Sequence, residues 1–127
     1  RIEYYREFRH RVETLKTDLL EMLGGLKADG KRIAAYGAAA KGSTMINYVG
    51  IGADVLDFVA DKNVHKQGRY MPGQKIPIVA AEKIQEEQPD YVLLLPWNLE
   101  TEILAQEQAF RDAGGKFIIP VPTPHIV

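Results

Sequence analysis

Apolar positions recur at three- and four-residue steps through the first part of the chain: Phe8, Val12, Leu15, Leu19, Met22 and Leu26. That period belongs to an amphipathic helix, expected over residues 2–27 and ended by Gly24-Gly25 or by Asp29-Gly30. The pattern then changes. Residues 33–36, 55–60, 91–95 and 116–119 are short apolar runs of the kind found in buried parallel strands. Residues 75–79 form a fifth run, which Pro77 interrupts and so places at a sheet edge. Helical stretches lie between the runs. They cover 43–49, closed by Gly50 and Gly52, then 80–87, broken by Pro89-Asp90. The last runs from Leu99 or Glu100 to Ala113, with Ile103, Leu104, Ala109 and Phe110 on its apolar side and Gly114-Gly115 as its stop. Pro120, Pro122 and Pro124 keep the tail out of any helix.

Strand and helix therefore alternate. The fold expected is α/β, a Rossmann-like three-layer sandwich with about five parallel strands in the order 3-2-1-4-5, preceded by a long amphipathic helix. Residues 1–30 read as that helix and a linker, and residues 31–127 as the Rossmann-like domain. The second half of the helix should pack across the sheet, while Tyr4, Tyr5 and Phe8 face a partner domain.

A chain of 127 residues is one domain by size, long enough to bury a core. Its 46% hydrophobic and 26% charged residues are ordinary for a globular domain, and a formal net charge of -1 gives no basis for nucleic-acid or acidic-membrane binding. No cysteine is present, which excludes disulfides, cysteine metal sites and a thiol nucleophile. No signal peptide or spanning segment is visible, and a cytoplasmic location is expected. Because the sequence starts at Arg1 within helical pattern, it reads as a fragment of something longer.

The stretch R-I-A-A-Y-G-A-A-A-K-G, Arg32 to Gly42, is strand, tight turn and helix start. In a doubly wound fold such a turn lies at the carboxyl edge of the sheet and can aim amides at an anion. Gly37 and Gly42 match the first and third glycines of the dinucleotide fingerprint, but Ala39 stands at the middle one. The plainer reading is that both glycines only permit the turn and close packing. Asp61 follows the second strand 24 residues after Gly37, a spacing compatible with a ribose-binding acid. It can equally cap the Asp-Lys-Asn turn that it opens. The loop 63–73 carries His65, Lys66, Arg69 and Tyr70, which can meet a phosphate and stack a ring or simply be solvated. Trp97 and Asn98 follow the most apolar strand, where Trp97 can stack on a base or close the core.

Other chemistry is missing. His10, His65 and His125 share no ligand spacing. The P-loop pattern fails by one residue, although Lys41 can still meet a phosphate as a point charge. Ser43 lacks the nucleophile-elbow frame. Glu100 and Glu102 begin a helix, where the dipole explains them more simply than acid–base catalysis does.

Several spaced motifs then share one order: Y-G-A-A-A-K-G (Tyr36 to Gly42), Asn47-Tyr48 with Gly50-Ile51, D-K-N-V-H-K-Q-G-R-Y-M-P-G (Asp61 to Gly73), P-D-Y-V-L-L-L-P-W-N (Pro89 to Asn98) and G-G-K-F-I-I-P-V-P (Gly114 to Pro122). Together they resemble the C-terminal domain of SAM-dependent sugar C-methyltransferases, over about residues 31 to 124. The resemblance implies a three-part protein: a zinc-binding part, a SAM-binding methyltransferase domain and this domain last. SAM, zinc and the catalytic base would belong to the upstream parts, leaving no cofactor and no catalytic residue here. It implies that this domain holds a nucleotide-diphosphate sugar, a deoxysugar, and packs on the upstream SAM domain, with no nucleic acid or membrane partner. Carried over position by position, Gly37, Lys41, Asn47, Lys66, Tyr70, Trp97 and Asn98 would line the cleft, beside Gly42 of the turn and Asp61. Gln74-Lys75 before Ile76-Pro77 and Pro96 depart from the family's usual pattern and would shift which sugar or carrier is accepted. Two other readings fit the same fold: a stand-alone nucleotide- or CoA-binding regulatory module, and a structural or dimerisation domain.

Overall fold

In the computed structural model, residues 2–127 are described, save for the side chains of residues 40 and 41. The chain opens with α1 (Ile2–Ala28) and continues through β1 (Ile33–Tyr36), α2 (Ala40–Val49), β2 (Leu56–Asp61), β3 (Ile78–Ala80), α3 (Lys83–Glu87) and β4 (Tyr91–Leu94). A 3-10 turn (Trp97–Leu99) leads to α4 (Glu100–Gln106), α5 (Gln108–Asp112), β5 (Lys116–Ile119) and β6 (His125–Ile126). The sheet order is β3-β2-β1-β4-β5-β6. The first five strands are parallel, as the alternation demanded, and β6 adds antiparallel to β5.

Side chains alternate across each strand, and this sorts the core into two layers. Ile33 and Ala35 of β1 join Leu19 and Leu23 of α1 and Ile46 and Val49 of α2. Ala34 and Tyr36 join Ile84, Ile103, Phe110 and Phe117 on the other face. Phe110 and Phe117 meet edge to face, centroids 5.7 Å apart. Leu19 and Leu23 are fully buried, which contributes about 2 kcal/mol each and fixes the second half of α1 to the sheet. Ile2, Tyr4, Tyr5 and Phe8 stay exposed.

Several boundaries differ from the sequence reading, each for a physical reason. α1 runs through Gly24-Gly25 because glycine lowers helix propensity without breaking the hydrogen-bond ladder; the turn at Asp29-Gly30 ends it, Gly30 taking φ +77°. α2 begins earlier, at Ala40, and Gly50 alone caps its end. β2 starts at Leu56, since Val55 N–H closes a turn to the Gly52 carbonyl, and extends through Asp61. The fifth run keeps only Ile78–Ala80 as strand. Residues 70–77 fold back as a small hairpin, with the Met71 N–H on the Ile76 carbonyl and Tyr70 bridging Pro77. Ala80 pairs with Asp61 in the sheet, and the next helix waits until Lys83. The expected helix to Ala113 is two helices, because Glu107 leaves helical dihedrals (φ -100°, ψ 29°) while its N–H still bonds Ile103. No glycine or proline marks that break.

Candidate functional site

β1, β2 and β4 end along one edge, and the segments after them close round a cavity of about 350 Å³. Its walls are Tyr36, Gly37 and Ala39, then Asp61, Lys62, Asn63 and Lys66, then Pro96, Leu99, Glu102, Ile103 and Gln106. Such an edge is where ligands bind in open parallel sheets.

The turn after β1 is already bonded. Gly37 N–H donates to the Ala60 carbonyl at 2.8 Å. Ala38 N–H donates to Asp61 Oδ2 at 2.6 Å, and Asn63 N–H to Asp61 Oδ1 at 2.7 Å. Lys66 Nζ donates to the Ala38 carbonyl at 3.0 Å. Asp61 thus clips the turn to the end of β2, and Lys66 clips the following loop to the turn. The amides of Gly37 and Ala38 are not left facing an anion. Gly37 has φ +96°, and a Cβ there would sit 2.5 Å from Pro96 Cδ. Gly42 packs on Leu95, where a Cβ would come within 2.9 Å of the leucine Cβ. Both glycines therefore have a close-packing reason.

Of the residues singled out from the sequence, Gly37, Asp61 and Lys66 meet in this cavity. Asn47 projects from α2 onto the hairpin: its Nδ2 donates to the Pro72 carbonyl at 2.9 Å and its Oδ1 accepts from Gln74 at 3.1 Å. Tyr70 is exposed on that hairpin. Trp97 lines a separate apolar groove of about 330 Å³ with Val12, Leu15, Met45 and Tyr48, between α1 and α2. Asn98 is exposed in the 3-10 turn beside the cavity's Leu99. The side chain of Lys41 lies outside the described residues.

Sequence reasoning overlooked Tyr36, Lys62, Leu99, Ile103 and Gln106. A signal existed for the wall of α4: Leu99, Glu102, Ile103 and Gln106 fall at helical spacing on one face. Burial, helped by the carboxylates of Glu107, Asp61 and Glu82, pushes the Tyr36 phenol up to about 12. Burial also raises the Glu107 carboxyl; Lys62 opposes and Glu82 adds to the shift. A carboxyl whose folded pKa lies above its unfolded value binds its proton more tightly when folded. The ionised group therefore destabilises the fold at neutral pH, and that penalty disappears below the unfolded value of about 4.3. Glu107→Gln is expected to raise the melting temperature at pH 7, with the gain fading near pH 4. Parallel thermal melts at the two pH values check this, and an equal offset at both would remove the ionisation argument.

Among the described residues no group of three or more histidine, aspartate or glutamate side chains is placed to hold a metal ion, and no helix is long and apolar enough to cross a membrane. A family model, the C-methyltransferase C-terminal domain, matches residues 1–122. The C-methyltransferase NovU of Streptomyces niveus is 42% identical over 123 residues, covering 97% of this chain and 29% of that protein. The chain thus spans less than a third of the length of that relative.

Proposed function

Because this chain belongs to the C-methyltransferase C-terminal domain family, we propose that it is the substrate-holding part of a larger SAM-dependent C-methyltransferase acting on a nucleotide-linked deoxysugar. The observation that carries the reading is the cavity at the carboxyl edge. Three segments far apart in sequence, 36–39, 61–66 and 96–106, supply its walls. The lysines Lys62 and Lys66 offer positive charge to a diphosphate on one side, and Pro96, Leu99 and Ile103 offer an apolar wall on the other.

The role is positioning. SAM chemistry, zinc and the base that activates the sugar carbon would come from the upstream parts, and residues 31–127 would hold the carrier so that the sugar faces them. Holding reactants in line removes a large part of the barrier in many enzymatic reactions. The exposed Ile2, Tyr4, Tyr5 and Phe8 of α1 are a contact for the upstream SAM domain. Asn98 lies beside the cavity's Leu99, whereas Gly42, Asn47, Tyr70 and Trp97 act outside it, Asn47 by holding the 72–74 hairpin.

Calorimetric titration of the natural polypeptide that carries this domain tests the proposal, with dTDP and dTDP-rhamnose as ligands. Both are expected to bind, and Lys66→Ala is expected to weaken both by about tenfold, the equivalent of about 1.4 kcal/mol. Absence of binding by either ligand would sink the reading and leave a packing domain.

A further inference from the structure

We infer that the Tyr36 hydroxyl contacts the substrate, donating a hydrogen bond to a hydroxyl-bearing sugar ring on the floor of the cleft. This rests on the reading of the chain as a holder of a nucleotide-linked sugar. Tyr36 is the last residue of β1, and the two-residue period of the strand turns it into the layer with Ala34 and Phe117. It is 5% exposed. Tyr36 lines the cavity, yet among the described residues its hydroxyl has no hydrogen-bond partner. Among the described residues no side-chain polar atom sealed from solvent lacks a partner, so the unpaired hydroxyl keeps accessible surface, and the cavity is the opening that Tyr36 lines. Buried phenols are normally paired within the protein. A phenylalanine would fill the same volume without an idle donor, so the hydroxyl's partner is what enters the cavity.

The surrounding charges select the class of that partner. Asp61 and Glu102 line the same cavity, and Glu107 and Glu82 lie close enough to act on the Tyr36 phenol. Those carboxylates and burial keep the phenol protonated, a donor at any ordinary pH. A phosphate on this floor would face several carboxylates. The Lys66 ammonium already spends a hydrogen bond on the Ala38 carbonyl. A neutral ring bearing hydroxyls fits instead. Its oxygens accept from the phenol, its hydroxyls donate to a carboxylate, and its C–H face lies on Pro96, Leu99 and Ile103. The diphosphate is then left to the lysine side of the cleft.

Tyr36→Phe in the natural polypeptide, titrated with dTDP-rhamnose and with dTDP alone, decides the matter. The variant is expected to bind dTDP-rhamnose about tenfold more weakly, to bind dTDP as the wild type does, and to melt no lower, because the lost hydroxyl had no internal partner. Unchanged affinity for dTDP-rhamnose would overturn the inference while leaving the nucleotide-sugar reading intact. An equal loss for both ligands would move the hydroxyl to the nucleotide and overturn the sugar contact. A marked drop in melting temperature would mean an internal partner, and overturns it too. A wild-type protein that binds dTDP but gains nothing from the rhamnose removes the sugar contact. One that binds neither ligand removes the nucleotide-sugar reading itself.

Discussion

Gly37→Val is expected to cost the fold most of its stability. The backbone at Gly37 has φ +96°, a region that β-branched residues essentially do not adopt. Any Cβ would also sit 2.5 Å from Pro96 Cδ and 2.9 Å from Cγ, atoms of a ring that cannot swing aside. The residue cannot shift away either, since its N–H is held by the Ala60 carbonyl at 2.8 Å. Strain and overlap together cost about 3 kcal/mol even for alanine, and more for valine. Against a total stability of about 5–15 kcal/mol, the valine variant loses most or all of its margin. Urea denaturation of Gly37→Ala gives the measurable version: a midpoint well below wild type with an unchanged slope. A wild-type midpoint would mean that the close approach to Pro96 is not a constraint.

Asp61→Ala is the second large effect, expected at about 3 kcal/mol with no ligand present. Its two oxygens accept from the Ala38 and Asn63 amides at 2.6 and 2.7 Å, and hydrogen bonds to a charged acceptor contribute about 1.5–3 kcal/mol each before solvent screening of this half-buried group. Alanine leaves the Ala38 amide without a partner in a segment that is otherwise buried. Asp61→Asn should fall between, because a carboxamide offers one oxygen and must turn its NH₂ toward the other amide. Thermal melts of the ligand-free variants, with a loss of roughly 10 °C for alanine, check this. A residue kept only for a ribose would change affinity and leave the ligand-free melt untouched. That result would return Asp61 to the ligand-binding role.

Asp61 also shows how far the sequence could be read. Its spacing from Gly37 suited a ribose acid and the Asp-Lys-Asn turn that it opens suited a cap; the Asn63 amide on its Oδ1 is that cap, while the bond to Ala38 across the sheet edge had no signal in the sequence. The strand order followed from alternation and the handedness of crossovers, which depend on the chain's own chirality and not on details of packing. β6 could not be foreseen. It is two residues long and follows a proline-rich stretch, and it pairs only because Ile118 and Ile119 leave an edge to be covered. The break at Glu107 carries no punctuation residue. Tyr36 stood inside a quoted motif, but a four-residue apolar strand does not reveal which of its faces meets a cavity. Trp97 follows β4 as expected, and in the 3-10 turn it packs against the layer of Tyr36 and Ile103 while also lining the groove between α1 and α2, a double contact that no spacing displays.

The 27 residues of α1 make a rod about 40 Å long. Only its second half is seated on the sheet, through Leu19 and Leu23. From Ile2 to Leu19 the helix rises by about 25 Å with no glycine or proline to hinge it. It is therefore a lever with a fixed fulcrum. Any force applied at the exposed Tyr4, Tyr5 and Phe8 would reach the sheet as a torque on the layer that also holds α2, and a tilt of a few degrees at the fulcrum moves the far tip by about an ångström or more.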